Sequence, residues 1–372
     1  MIILLKIKVA LSNNIKMLKI KPNILVTGSS GFLGSHTIAH LSKNYRICGI
    51  DKRFPSKDQL KKFANIDFIN LDISNTNELN KVINNQIDKY GNFDYIIHLA
   101  AEWSYSVKLA EQYHDINMKA LNNVIELSSK HHIKRILYSS SITALKEDKV
   151  LDEKTSLITE KTHPYGWSKA HGEKTIQSSN VNSAILRITG VYSDFSELPP
   201  LTWLINRWTK PHILSRIIPG NGLTSMSYLH INDFTNLIEL IISNDLNIGN
   251  KETFLVGTNG AISQNKLFEI IRNDFNLSNN PIYFPKDLVK LGLIGEKLTF
   301  QNPPEPLWML NYIGKQLVTD STYTQNKLSW QISNKSDIES YLPCLLNNYK
   351  NNQEKWKIKQ LLRETHKHEY II

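Results

Sequence analysis

The sequence predicts an α/β fold: a doubly wound parallel sheet joined to a smaller, mostly helical C-terminal lobe. Three observations carry this. Apolar strand-like runs alternate with amphipathic stretches from residue 23 onward, a rhythm that implies parallel pairing. The run FDYIIHLAA is almost continuously apolar, as expected of a strand covered on both faces. After Tyr192 the rhythm gives way to DFSELPPLTW and IIPGNGLTS, whose prolines and turn residues mark an insertion.

The elements follow in order. NILVT is the first strand, and FLGSHTIAHLSK is a helix with Phe32, Leu33, Ile38 and Leu41 as its apolar residues. YRICGID and IDFINLD are strands two and three, and TNELNKVINNQIDKY is a helix. FDYIIHLAA is strand four, followed by a long helix in SVKLAEQYHDINMKALNNVIELSSKHH. KRILYSSS is strand five, YGWSKAHGEKTIQSS a helix and NSAILRITGVY strand six. SYLHINDFTNLIELIIS reads as a strand end feeding a helix capped by Asn232 or Asp233, and FLVGT as a further strand. Residues 1–20 read as a leader and 346–372 as a basic tail. Residues 21–192 with 226–258 form the sheet domain, and 193–225 with 259–345 form the smaller lobe.

Composition narrows the function. Of 372 residues 41% are hydrophobic, enough for a substantial core. No apolar run reaches the roughly 20 residues that span a bilayer. The first 20 residues mix short apolar pieces with lysines and lack a small-residue cleavage site, so no secretory signal is expected. Met17 is an alternative start. The two cysteines, Cys48 and Cys344, have neither metal-ligand spacing nor the density of a disulfide scaffold. A reducing cytoplasm and no metal are therefore expected. The formal charge is +10, but the lysines are scattered among asparagines and no basic helix is interleaved with aromatics. Nucleic acid and membrane are not the expected partners, and a small molecule is.

Gly28, Gly31 and Gly34 stand three apart directly after the first strand. In such a loop the first glycine permits a tight turn, the second lets a pyrophosphate approach the backbone, and the third lets helix and strand pack closely. The free amides of the following helix face a bound anion. Asp51 ends the second strand 23 residues after Gly28, where an acid accepts hydrogen bonds from an adenosine ribose. Its charge repels a 2′-phosphate, which favours NAD. Lys52 and Arg53 follow at once and keep NADP as the alternative. Asp72 ends strand three, where it either touches the adenine amino group or caps a turn. These features identify a dinucleotide-binding (Rossmann) sheet.

Tyr165 and Lys169 are four apart in HPYGWSKAHGEK and share one helix face. A phenol loses its proton near pH 10. A neighbouring cation favours phenolate and lets it work as acid and base near neutrality. Pro164 suits the first helical turn. Strand five ends in Ser139, Ser140 and Ser141, at the end of the sheet where ligands bind. A serine there can hydrogen-bond the reacting oxygen; the residues themselves leave open which one.

With these motifs in hand, the sequence resembles an extended short-chain dehydrogenase/reductase of the NAD-dependent epimerase/dehydratase family. The matching pieces are VTGSSGFLG, ID at 50–51, LD at 71–72, IIHLAA at 96–101, Asn117, YSSS at 138–141, YGWSK at 165–169, LRITGVY at 186–192 and SYLHINDF at 227–234. They cover most of residues 22–345. The resemblance implies that Ser141 is the catalytic serine, Tyr165 the acid/base, and Lys169 a residue that also holds the nicotinamide ribose. It implies cofactor contacts from Gly28, Ser30, Gly31, Phe32, Leu33, Gly34, Asp51, Asp72, Ile73, Leu99, Ala100, Ala101 and Asn117. It also implies a homodimer formed through the helices of Asn117 and Tyr165.

Two departures matter. Ile142 and Thr143 stand where the dehydratase branch carries an Asp-Glu pair, and neither can protonate a leaving hydroxyl. Ala144, Leu145 and Lys146 replace a Val-Tyr-Gly turn. Glu102 could supply a carboxylate or be a solvated loop acid. Arg187, Arg207 and Arg216 are candidates for a nucleotide diphosphate, with structural salt bridges as the alternative. His98 reads as a satisfied strand-end histidine and His230 as a loop-ordering one. Trp203, Trp208 and Trp308 line a pocket or pack a core. The expected activity is hydride transfer at a carbinol or keto carbon of a nucleotide sugar, with epimerisation preferred to dehydration. The alternatives are an NAD(P)-dependent reductase or dehydrogenase of a small carbonyl or alcohol compound, and a non-catalytic NAD sensor.

Overall fold

The computed structural model describes residues 21–55, 59–60, 66–102, 110–161, 163–289 and 311–364. The expected leader (1–20), Trp308 with its PPEPLWML segment, and the last residues of the basic tail lie outside the described residues.

The strands in chain order are β1 (Asn23–Thr27), β2 (Arg46–Asp51), β3 (Asp67–Asn70), β4 (Tyr95–His98), β5 (Arg135–Ser141), β6 (Ser183–Ile188), β7 (Gly190–Tyr192), β8 (Ile217–Pro219), β9 (Ser225–Met226), β10 (Tyr228–His230), β11 (Glu252–Val256), β12 (Ile262–Ser263), β13 (Ile282–Phe284) and β14 (Gln316–Leu317). The helices are α1 (Phe32–Leu41), α2 (Thr76–Tyr90), α3 (Ala110–Lys130), α4 (Pro164–Ser178), α5 (Pro199–Trp208), α6 (Ile231–Ser243), α7 (Gln264–Asp274), α8 (Thr322–Leu328), α9 (Ile338–Asn351) and α10 (Gln353–Glu364). Seven strands form the main sheet in the order β11-β6-β5-β4-β1-β2-β3, and every neighbouring pair is parallel. The chain begins at the centre, winds outward to β3, then crosses to β4 and winds the other way. The reversal between β1 and β4 opens a crevice at the carboxyl ends of the strands.

Strand periodicity divides the core into two layers. Ile24 and Val26 of β1 point to the layer of Ile38, Leu186, Phe234 and Phe254. Leu25, between them, points to the layer of Ile83, Ile96, Leu121 and Ile136. Local signals set the helix ends. Asn75 caps α2 by accepting from the Glu78 amide, and Gly91 ends it at φ 84°. Pro164 stands in the first turn of α4.

Three expectations are corrected. NSAILRITGVY is not one strand: it breaks at Thr189, whose amide and hydroxyl both donate to the Val256 carbonyl at 3.1 Å. β7 then leaves the main sheet to pair with β10, carrying Tyr192 into a separate core. The cap of α6 is His230, whose Nδ1 accepts the Asn232 amide at 3.2 Å, rather than Asn232 or Asp233. Asp233 instead accepts from the Ser333 and Ser336 hydroxyls. Finally, the stretch read as a tail from residue 346 is helical to Glu364 and buries Leu346 and Trp356.

That separate core gathers Tyr192, Leu201, Ile205, Trp208, Phe268, Leu342, Leu345 and Trp356. The segment around Leu328 and Trp330, which the sequence reading gave to the smaller lobe, packs on the main sheet instead. The Trp330 indole donates there to the Asp233 carbonyl at 3.2 Å. Among the described residues no helix is long and apolar enough to cross a membrane.

Candidate active site

The first βα turn is built by steric exclusion. Gly28 has φ 72°, and a Cβ there would stand 2.6 Å from the Ala100 nitrogen. A Cβ on Gly34 would stand 2.1 Å from the Gly28 carbonyl oxygen. The turn, the loop after β4 and the start of α1 thus approach more closely than any side chain permits. Gly31 is the N-cap of α1 and makes no side-chain cap bond, and the amides of a helix start are suited to an anion.

This turn forms one wall of a cleft of about 540 Å³ at the strand tips. Gly28, Gly31, Phe32, Leu33, Gly34, Asp51, Asp72, Ile73, Leu99, Ala100, Ala101, Glu102 and Asn117 line it, as do Ser141, Tyr165 and Lys169. Ser30 does not. Its amide donates to Asp51 at 3.0 Å and its hydroxyl to the Arg53 carbonyl. The other Asp51 oxygen accepts the Arg53 amide at 3.0 Å, with the Arg53 guanidinium at 3.5 Å. Asp72 combines the two readings made of it: it lines the cleft and its Oδ1 caps the Ser74 amide at 2.9 Å. Glu102 is ion-paired with Lys52 at 3.3 Å, joining the loops after β2 and β4.

The three strand-end serines now separate. Ser139 donates to the His98 carbonyl at 2.8 Å, and Ser140 donates to buried Glu173. Ser141 accepts at Oγ from the Thr143 amide at 3.2 Å and the Thr143 hydroxyl at 2.9 Å, capping the short helical turn Ile142–Ala144. Lys169 is 2% exposed. Its Nζ donates to the Ser139 carbonyl at 2.6 Å and lies 5.7 Å from the Tyr165 ring centroid. Burial pulls the Lys169 ammonium down to about 7, against the opposing pull of Glu173. Asn117 ties the site together: Oδ1 accepts the Glu102 amide at 2.6 Å and Nδ2 donates to Ser168 Oγ at 3.0 Å.

The arginines do not meet in the cleft. Arg187, offered as a diphosphate ligand, is buried against Glu173 at 3.0 Å. It also donates to the Asp152, Glu153 and Thr155 carbonyls. Arg207 and Arg216 lie outside the lining, and Arg216 donates to the Asn280 carbonyl. His98 pairs through Nδ1 with the Thr27 hydroxyl at 2.8 Å, and burial pushes it down to about 3. Trp208 is core and Trp203 does not line the cleft.

Sequence reasoning missed His163, which caps α4 by accepting the Gly166 amide at 2.7 Å. Its position just before Pro164 was the available signal. It also missed the apolar lining from Ile188, Val191 and Leu198, which no motif marks. Among the described residues no group of three or more His, Cys, Asp or Glu could hold a metal ion.

Comparison with known proteins bears on the fold and the family. The chain is 29% identical over 280 residues to the "Putative UDP-glucose 4-epimerase" of Methanocaldococcus jannaschii, covering 70% of this chain and 85% of that protein. The UDP-glucose 4-epimerase of Thermotoga maritima, solved with UDP-glucose, superposes with a TM-score of 0.66 at 20% identity over 89% of this chain and 99% of that one. Bordetella bronchiseptica WbmG, solved with NAD, gives 0.68 at 18% identity over 90% and 97%. The family profile matches residues 24–257, the stretch that carries the glycine turn, the strand-end serines and the Tyr165 helix, and the chain therefore belongs to the NAD dependent epimerase/dehydratase family.

Proposed function

We propose that this chain is a nucleotide-sugar epimerase that uses NAD and acts on a UDP-hexose. The observation that carries the reading is that Ser141, Tyr165 and Lys169 line the same cleft as the glycine turn. NAD fits this cleft. Gly28 and Gly34 let the turn, the loop after β4 and the start of α1 pack together with no side chain between them, which leaves a bare backbone wall that a diphosphate can approach, α1 offers its amide end to that diphosphate, and Asp51 is an acceptor at the tip of β2. The Asp51 charge favours NAD over NADP, because a 2′-phosphate would meet a carboxylate.

When bound, NAD supplies reversible hydride acceptance at a carbinol carbon. Tyr165 takes the proton of the reacting hydroxyl and later returns it. Lys169 favours the phenolate through its charge. Ser141 donates to the reacting oxygen and holds it in line with Tyr165. A sugar ketone that turns over before the proton and hydride return gives the epimer. Ile142 and Thr143 offer no carboxylic acid to expel water, which argues against dehydration. Residues 193–225 and 259–289 are proposed to hold the nucleotide. UDP is supported by the name of the Methanocaldococcus relative and by the UDP-glucose in the Thermotoga structure. Free Cys48 and Cys344 fit a reducing compartment, and a homodimer along α3 and α4 completes the reading.

The test is incubation with NAD and a panel of UDP-sugars, UDP-glucose first, with chromatographic detection of the C4 epimer. Tyr165→Phe is expected to lower turnover by about 10²- to 10⁴-fold with NAD binding intact. No epimer from any UDP-sugar, or an unimpaired Tyr165→Phe, would overturn the proposal.

A further inference from the structure

Thr143 has no part in the chemistry described so far, and it does not line the cleft. Yet it makes two contacts to one atom of the site. Its amide and its hydroxyl both donate to Ser141 Oγ, at 3.2 and 2.9 Å. A serine hydroxyl has one proton to give and two lone pairs to receive. With both lone pairs taken from the Thr143 side, the only hydrogen-bonding capacity left to Ser141 is its own proton. Accepting two hydrogen bonds also strengthens the one that is donated.

Thr143 touches the other half of the site as well. A Cβ on Gly166, the residue after Tyr165, would stand 2.1 Å from the Thr143 carbonyl oxygen. The first turn of α4 therefore rests on the Thr143 backbone, so one residue supports both the strand-tip hydroxyl and the helix start that carries the phenol. The turn is anchored from outside too. Ile142 and Leu145 pack with Leu151 and Leu255, and the Ala144 carbonyl accepts the Ile158 amide at 2.9 Å.

Resting on the reading of Ser141 given above, we infer that Thr143 is a positioning residue that makes Ser141 a one-way donor to the reacting oxygen. Ser141 cannot compete for the substrate proton, because it has no lone pair to offer. The proton of the reacting hydroxyl is thereby directed to Tyr165 alone. At the position where the dehydratase branch carries a carboxylate, this chain has a hydroxyl that acts on the serine instead of on the substrate.

The test is a mutant cycle read with the UDP-sugar that the full-length wild type turns over. Thr143→Val keeps the β-branch and the amide but removes the hydroxyl. The expected result is a fall in kcat of about 5- to 20-fold with KM and NAD affinity within about twofold, since the lost interaction matters most as charge develops on the substrate oxygen. Thr143→Ser, which restores a hydroxyl, is expected to recover most of the loss. In a Ser141→Ala background the Thr143→Val change is expected to add little, because its target is gone. A neutral Thr143→Val beside an impaired Ser141→Ala overturns this inference alone, as does an equal loss from Thr143→Val in both backgrounds. A neutral Ser141→Ala, or a wild type that turns over no UDP-sugar, overturns the underlying reading and this inference with it.

Discussion

Lys169 Nζ donates to the carbonyl oxygen of Ser139 at 2.6 Å while standing 5.7 Å from the Tyr165 ring centroid. An ammonium is thus pinned beside a phenol, one helical turn along α4, by a strand it does not belong to. The arrangement burdens the fold, because burial lowers the Lys169 ammonium from its ordinary 10.5 to about 7.

The sign of that burden is testable. The folded chain gives up the Lys169 proton near pH 7 and the unfolded chain near 10.5. Between those values the unfolded state binds more protons, so this group makes stability rise with pH. The penalty is greatest below pH 7 and gone above 10.5. Lys169→Met should be inactive yet more stable at pH 6–7, by on the order of 1–2 kcal/mol. The advantage should shrink as the pH approaches 10. Urea midpoints at pH 6, 8 and 9.5 measure it, and a variant less stable at pH 6 would contradict the argument.

On the proposed reading, Asp51 would set cofactor choice through occupied oxygens. Oδ2 holds the Ser30 amide and Oδ1 the Arg53 amide, both at 3.0 Å. Asparagine can present an acceptor to only one of these amides and turns a donor on the other. Asp51→Asn should weaken NAD about tenfold, a change of about 1.4 kcal/mol, and narrow the gap to NADP, which Arg53 can then meet. Calorimetric titration with both dinucleotides checks this; an unchanged NAD:NADP ratio would remove Asp51 from the selectivity account.

The legible parts of the molecule were those whose cause is local. Gly28, Gly31 and Gly34 are spaced by the geometry of one turn, and Tyr165 and Lys169 by one turn of helix, so both could be read from neighbours in the chain. The break at Thr189 was hidden because apolar residues continue on both sides of it, and only the distant strand β10 draws β7 away. Helix α10 looked solvated because lysines dominate it; Trp356 was the one residue that betrayed a buried face. Arg187 stayed between a diphosphate ligand and a structural salt bridge because its partner Glu173 lies on another element. The choice among Ser139, Ser140 and Ser141 depended on His98, Glu173 and Thr143, contacts no motif records.

The glycine turn allows a controlled comparison. A methyl on Gly34 meets the Gly28 carbonyl oxygen at 2.1 Å, whereas a methyl on Gly91, at φ 84°, meets nothing within 4 Å. Gly91→Ala should therefore cost only backbone strain, about 1–3 kcal/mol, and leave NAD affinity unchanged. Gly34→Ala must push α1 away from the Gly28–Ser29 turn, with overpacking of about 1–3 kcal/mol and a loss of NAD affinity. Paired denaturation and dinucleotide titration separate the two; equal NAD affinities in both variants would show that the turn does not hold the cofactor.

Arg187 offers the sharpest distinction between a structural and a binding role. Glu173 is fully buried and Arg187 5% exposed, with Nη2 and Oε2 3.0 Å apart. Removing only the guanidinium, as in Arg187→Met, leaves the Glu173 charge stranded and should cost about 3–5 kcal/mol. Replacing both, Arg187→Met with Glu173→Leu, removes that charge. It should recover most of the loss, short of about 1 kcal/mol for the Ser140 hydroxyl that then lacks its acceptor. If the arginine instead served the substrate diphosphate, the double variant would fold well but show a KM raised tenfold or more. A KM within about twofold of wild type, alongside the recovered denaturation midpoint, is the expected result, because the Arg187 donors are already spent on Glu173 and on three backbone carbonyls.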